Sequence, residues 1–135
     1  MKEILDDNSR HELIIYRLQR AAETLKEARY NADGEYYNAA VNRLYYACYY
    51  AASALMLDAG LETATHNGIR TMLGLKFVKP GILEARYGRI YQQLFENRQA
   101  GDYEDFTYCD SELFEELEPQ AVDFVMRLTE MLSSK

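Results

Sequence analysis

Apolar residues recur at three- and four-residue spacing along most of this chain, and no segment shows the strict alternation of a strand. The pattern is densest over NAAVNRLYYACYYAASALML, Asn38–Leu57, which contains neither Gly nor Pro. Val41, Leu44, Cys48, Ala51 and Leu55 form one apolar stripe there. Asn42, Tyr46, Tyr49, Tyr50 and Ser53 fall together on the opposite face, bulky but tipped with polar groups. A helix that is apolar on one side and aromatic on the other is normally buried on both. This spacing therefore predicts the central helix of an all-helical domain, its aromatic side facing either a second layer of helices or a second subunit.

The remaining pattern predicts four further helices. Asn8 or Ser9 can cap a first helix running to about Ala32, with a stripe of Ile14, Leu18, Ala21, Leu25, Ala28 and Ala32 that Leu13 and Ala22 widen. Asp33-Gly34 reads as a turn, so the first two helices form an αα-hairpin. Thr65 is a plausible cap for a short third helix carrying Ile69, Met72, Leu73, Lys76 and Phe77, stopped by Lys79-Pro80-Gly81. A fourth helix, about Ile82–Ala100, places Leu83, Tyr87, Ile90, Tyr91 and Leu94 on one face. Gly101-Asp102 ends it, and an aromatic, acidic loop follows to Cys109. Asp110 or Ser111 caps a last helix whose stripe of Phe114, Leu117, Ala121, Val125, Leu128 and Leu132 keeps phase through Pro119. One phase implies one helix, kinked at Pro119. The expectation is an all-α, antiparallel up-and-down bundle of about five helices: residues 1–8 an acidic lead-in, residues 9–135 a single domain.

Composition narrows the class. A hydrophobic content of 48% over 135 residues suits one domain with a sizeable core and excludes intrinsic disorder. The apolar runs are too short and too broken for a membrane span. The acidic start MKEILDDNSRHELII lacks the apolar region of a signal peptide, and Cys48 sits in the predicted core stripe. Both cysteines, Cys48 and Cys109, thus read as reduced thiols of a cytoplasmic protein. A net charge of −7 and a pI near 4.8 argue against broad nucleic-acid binding, and DNA is not expected. A small basic site stays open. Twelve tyrosines and no tryptophan serve either an interface or an amphipathic core.

Few residues could carry chemistry. Arg98 lies four residues after Leu94 and seven after Tyr91, extending the buried stripe of the fourth helix. A guanidinium in that phase needs partners, for which Asp102, Asn42 and Tyr hydroxyls are available. The plainer alternative is an Arg that snorkels from the helix end and pairs with Asp102. His66 precedes Ile69 by three residues and Leu73 by seven, so it points toward the core side. It is either a satisfied structural histidine or a proton-transfer or anion-contact group near neutral pH. His11 reads as a surface residue. No Glu-x-x-His pair, zinc spacing or glycine-rich phosphate loop occurs, so neither metal nor cofactor is expected. The carboxylates of Glu112–Glu118 suit the start of a helix and read as a solvated face.

Three segments in order carry a resemblance. They are Tyr37–Leu57 with its Asn42-Arg43-Leu44-Tyr45-Tyr46 core, the helix start Thr65-His66-Asn67-Gly68, and Asn97-Arg98-Gln99-Ala100-Gly101-Asp102-Tyr103. Together they resemble the HEPN domain family, in its short stand-alone bacterial and archaeal branch, over nearly the whole chain. The resemblance implies a helical bundle that forms a homodimer, often paired with a nucleotidyltransferase in a toxin–antitoxin or defence system. It also implies a metal-independent ribonuclease site, built where two copies of an Arg–His motif meet. Arg98 matches the motif Arg. The motif His is absent: Tyr103, Glu104 and Asp105 stand in its range. Loss of such an acid/base removes typically 10²- to 10⁴-fold in rate. His66 replaces it only if the third helix brings it beside Arg98. The implied site is a polar interface pocket for RNA or a nucleotide phosphate, with Arg98, Asp102, Tyr103 and His66 as catalytic candidates and Asn42, Arg43 and Tyr46 binding the ligand. The alternative is a non-catalytic protein-interaction module of the same fold.

Overall fold

The computed structural model describes residues 6–63, 65–103 and 109–133; the side chains of residues 99–103 are not among those described. Five α-helices account for nearly all of it: α1 Asp7–Asp33, α2 Tyr37–Asp58, α3 His66–Met72, α4 Ala85–Tyr103 and α5 Ser111–Ser133. They form an antiparallel bundle, with no strand among the described residues. A π-helical turn, Leu73–Val78, continues α3 toward Pro80.

The cap of α1 is Asp6, whose carboxylate accepts from the Ser9 amide at 2.7 Å, rather than Asn8 or Ser9. The helix therefore takes in the last residues of the expected lead-in. Its buried face is Ile14, Ala21, Thr24, Ala28 and Ala32. Ala22 is exposed and does not widen the stripe. Thr24 is buried among these alanines because its hydroxyl donates to the Arg20 carbonyl at 2.6 Å, which satisfies it within its own helix. In the hairpin loop Glu35, not Gly34, takes the left-handed conformation, at φ 67°. The Tyr36 amide donating to the Asn31 carbonyl at 2.8 Å closes the helix end around it.

The central position of α2 follows from its composition. Val41, Leu44, Cys48, Ala51 and Leu55 are buried as the stripe requires, and so are Tyr45, Ala47, Ala52 and Met56. It packs on α1, α3, α4 and α5. The small buried faces of α1 and α2, Ala21, Ala28 and Ala32 with Ala40, Ala47, Ala51 and Ala54, permit close approach of the hairpin. Tyr46, Tyr49 and Tyr50 are half-buried.

Thr65 caps α3 through the Gly68 amide at 2.8 Å, and Asp110 caps α5 through the Leu113 amide at 2.9 Å, both where the sequence placed a cap. Helix α4 begins at Ala85, three residues later than expected, because Gly81 takes φ 83° in the turn that Pro80 opens. It also runs through Gly101-Asp102 to Tyr103 instead of stopping there. The rest of the expected aromatic loop lies outside the described residues, apart from Cys109. Helix α5 is continuous with Pro119 inside it. Phe114, Leu117, Ala121, Phe124, Val125 and Leu128 fill the core from that side, and Cys48 and Cys109 are buried free thiols. Burial pushes both thiols above their ordinary range.

Candidate functional site

Two adjoining features form around the middle of α2. The first is a cleft of about 330 Å³ lined by Asn31 of α1, Asn38, Ala39, Asn42 and Arg43 of α2, and Asn97 and Arg98 of α4. Three helices supply two guanidinium groups and four amides among the described lining residues, and the Glu27 carboxylate of α1 reaches Arg43 at 3.6 Å. The amides are differently committed. Asn31 Nδ2 donates to the Glu27 carbonyl at 2.9 Å and Asn97 Nδ2 to the Gln93 carbonyl at 2.8 Å, within their own helices. Asn38 is the reverse: its Oδ1 accepts from the Cys109 amide at 2.6 Å, which leaves its NH₂ as the donor. Arg43 donates to Asn42 Oδ1 at 3.2 Å, lies 3.6 Å from Glu27 and covers the Tyr46 ring at 4.8 Å.

Arg98 joins the cleft to the second feature. It is half-buried rather than fully inside the stripe, with Nε enclosed by protein and its guanidinium over the rings of Tyr45 at 5.2 Å and Phe95 at 5.7 Å. A planar cation on two ring faces is held in orientation by packing as well as by charge.

The second feature is an aromatic cluster around His66. Tyr45 is fully buried, and its hydroxyl lies 2.7 Å from His66 Nδ1 and 3.3 Å from the Tyr91 hydroxyl. The imidazole stacks on Tyr49, centroids 4.3 Å apart, and meets Tyr46 edge-on at 5.5 Å. Partial burial, then the nearby Arg98 charge, lowers the His66 pKa from its ordinary value and favours the neutral ring. Burial pushes the Tyr45 phenol up to about 12, against the bond from Tyr91 and the Arg98 charge. Burial raises the Tyr91 phenol as well.

The fold thus gathers most of the sequence candidates. Arg98, Asn42 and Arg43 line one cleft, while Tyr46 and His66 stand one α2 turn away, roughly 5 Å along the axis. His66 and Arg98 both lie against Tyr45, His66 at the phenol oxygen and Arg98 over the ring. The side chains of Asp102 and Tyr103, and the proposed Arg98–Asp102 pairing, lie outside the described ones. Tyr45 and Tyr49, which the sequence places in the α2 motif and on its aromatic face, are not among the site candidates it names. Tyr45 follows Val41 by four residues and precedes Cys48 by three, a spacing that marks it for the core. A buried phenol needs a hydroxyl partner, and that was the available signal.

An all-helical bundle with a basic, amide-rich cleft against a histidine–tyrosine cluster is the class these features define. The chain matches the HEPN domain model over residues 15–132 and belongs to the HEPN family. A UPF0332 protein of Thermotoga maritima is 36% identical over 105 residues, 78% of this chain and 80% of that protein. A Methanocaldococcus jannaschii protein named as a candidate toxin is 36% identical over 103 residues, 76% of each chain. A UPF0332 protein of Gloeobacter violaceus is 29% identical over 120 residues, 86% of this chain and 93% of that one. No described helix is long and apolar enough to cross a membrane.

Proposed function

We propose that this chain is an RNA-binding member of the HEPN family that acts as the toxin of a toxin–antitoxin-like pair, with the Arg98 cleft holding a backbone phosphate. The observation that carries the reading is the lining of the cleft, which brings two arginines and four amides together in a chain of net charge −7. Guanidinium groups suit phosphate by their planar, multi-donor geometry. The amides add a reason to favour RNA. Asn31 and Asn97 each commit one NH₂ hydrogen to a helix carbonyl, which orients their Oδ1 atoms as acceptors, and a ribose 2′-hydroxyl is the donor that distinguishes RNA from DNA. The relative named as a candidate toxin supports the toxin role. The half-buried Tyr46, Tyr49 and Tyr50 support a second copy against α2, completing the site as a homodimer, and a nucleotidyltransferase is the proposed antitoxin.

Fluorescence anisotropy with one single-stranded RNA and the DNA of the same sequence tests the binding. Arg98→Ala and Arg43→Ala should each weaken RNA binding by ~10- to 100-fold, the range for a hydrogen bond to a charged group. Each should also reduce the slope of affinity against salt by about 0.7 for a lost phosphate contact. RNA affinity unchanged in both variants would sink the proposal. Incubation of the same RNA in EDTA tests whether binding leads to metal-independent cleavage.

A second reading rests on the packing of Arg98 over Tyr45 and Phe95. If that is its whole role, the domain is a non-catalytic protein-interaction module. Arg98→Ala would then lower the melting temperature while leaving RNA affinity where the wild type has it.

A further inference from the structure

The hydroxyl chain behind His66 decides which of its nitrogens carries the proton. Tyr91 is fully buried, and among the described residues the hydrogen-bonding partner of its hydroxyl is the Tyr45 hydroxyl at 3.3 Å. A buried O–H without an acceptor is costly, so Tyr91 donates to the Tyr45 oxygen. Tyr45 has one hydrogen to give, and its other neighbour is His66 Nδ1 at 2.7 Å. Tyr45 therefore donates to Nδ1, and the neutral imidazole carries its proton on Nε2. The opposite direction, Nδ1–H donating to Tyr45 and Tyr45 to Tyr91, would leave the Tyr91 hydrogen buried with no acceptor. Nε2 makes no hydrogen bond among the described residues and is not enclosed by protein, so its N–H is available to a ligand.

We propose that His66 is a ligand-binding residue that offers a neutral Nε2–H donor to an RNA phosphate or ribose oxygen beside the Arg98 cleft, not a general base. This rests on the RNA-binding reading above. The stack on Tyr49 and the edge contact with Tyr46 fix the plane of the ring, and Tyr45 fixes its tautomer. The remaining charged neighbour, Arg98 of α4, joins partial burial in keeping the ring neutral, so the Nδ1 lone pair stays free to accept from Tyr45. A base would need its exposed nitrogen unprotonated, and this arrangement assigns that state to the inner one. The assignment gives the cluster a place in recognition that the missing motif histidine does not supply.

Glutamine and alanine at position 66 separate the two roles. The Gln amide can donate near the Nε2 position but cannot accept a proton as a base. RNA affinity of His66→Ala should fall by about 10-fold, the size of a lost donor to a charged acceptor, while His66→Gln stays within about threefold of wild type. If His66→Gln binds as weakly as His66→Ala, or His66→Ala binds as well as wild type, the proposal is overturned. Long-range ¹H–¹⁵N spectra of the wild type should show Nε2 protonated and Nδ1 bare; the reverse tautomer overturns it without any RNA. Tyr45→Phe, buried away from ligand, keeps the test open if the His66 variants do not fold: without the phenol donor on Nδ1 the two tautomers should mix, and an unchanged spectrum would refute the hydroxyl chain. Wild-type protein that binds no RNA overturns both this proposal and the reading beneath it. Failure of the glutamine or tautomer arms alone leaves that reading standing.

Discussion

Replacing Tyr45 by Phe removes one oxygen from the centre of the molecule and two hydrogen bonds with it. Tyr45 is fully buried between the His66 Nδ1 at 2.7 Å and the Tyr91 hydroxyl at 3.3 Å. On the His66 side the loss is modest, since the ring is only partly buried and water can replace the phenol; a net bond is worth about 1 kcal/mol. The Tyr91 side differs. Its hydroxyl has no other acceptor among the described residues and no access to water, so stranding it costs a further 1–2 kcal/mol or so. The sum is about 2–3 kcal/mol. Unfolding entropy near ~2.1 cal/mol/K per residue over 135 residues is about 0.28 kcal/mol/K, so the melting temperature should fall by ~7–11 °C. Thermal melts followed by circular dichroism, at one fixed protein concentration, measure it. The double variant Tyr45→Phe/Tyr91→Phe makes the argument specific. With no hydroxyl left to strand, it should melt several degrees above Tyr45→Phe alone, a coupling of about 1–2 kcal/mol. A Tyr45→Phe protein within ~0.5 kcal/mol of wild type, or a double variant whose losses simply add, would refute the hydroxyl chain.

Two further outcomes follow from the same region. A Cβ on Gly68 would run into Thr63 Oγ1 and sit 2.8 Å from Thr65 Oγ1, the oxygen that caps α3. Gly68→Ala should therefore destabilise the fold by about 1–2 kcal/mol through the lost cap and weaken RNA binding by displacing His66; a neutral effect on both would show that the start of α3 yields freely. The lowered His66 pKa gives a pH dependence of stability. The unfolded chain takes up the proton first as pH falls below about 6.5, so this contribution is complete above that value and is lost as pH drops through the lower folded-state pKa. Urea midpoints between pH 7 and 5 should decline in the wild type and decline less in His66→Gln; equal slopes would show that His66 does not titrate differently on folding. The acid-side loss from Glu84, held below the ordinary carboxylate range by its hydrogen bond to Arg127, belongs to a lower pH window.

What the chain determined by itself was local. The stripes of α2, α4 and α5, the caps at Thr65 and Asp110, and passage of one helix through Pro119 all rest on contacts within a few residues. Three- and four-residue spacing records those contacts directly. Arg98 and His66 stood out as candidates because a charged or polar group in an apolar phase contrasts with its own helix, whereas Arg43 entered only through the family resemblance. Where spacing was a poor guide, another local device won. Asp6 reached back to cap α1, and α4 ran on past Gly101, a residue that raises the cost of a helix without forbidding it. Tertiary structure alone decided that Asn31, Asn38, Asn97 and Arg98 share a cleft and that Tyr45 links Arg98 to His66. Those meetings depend on how closely the alanine faces let α1 approach α2, and on how the helices are rotated about their axes. Periodicity says which face of a helix is buried, but not which residue of another helix it will meet.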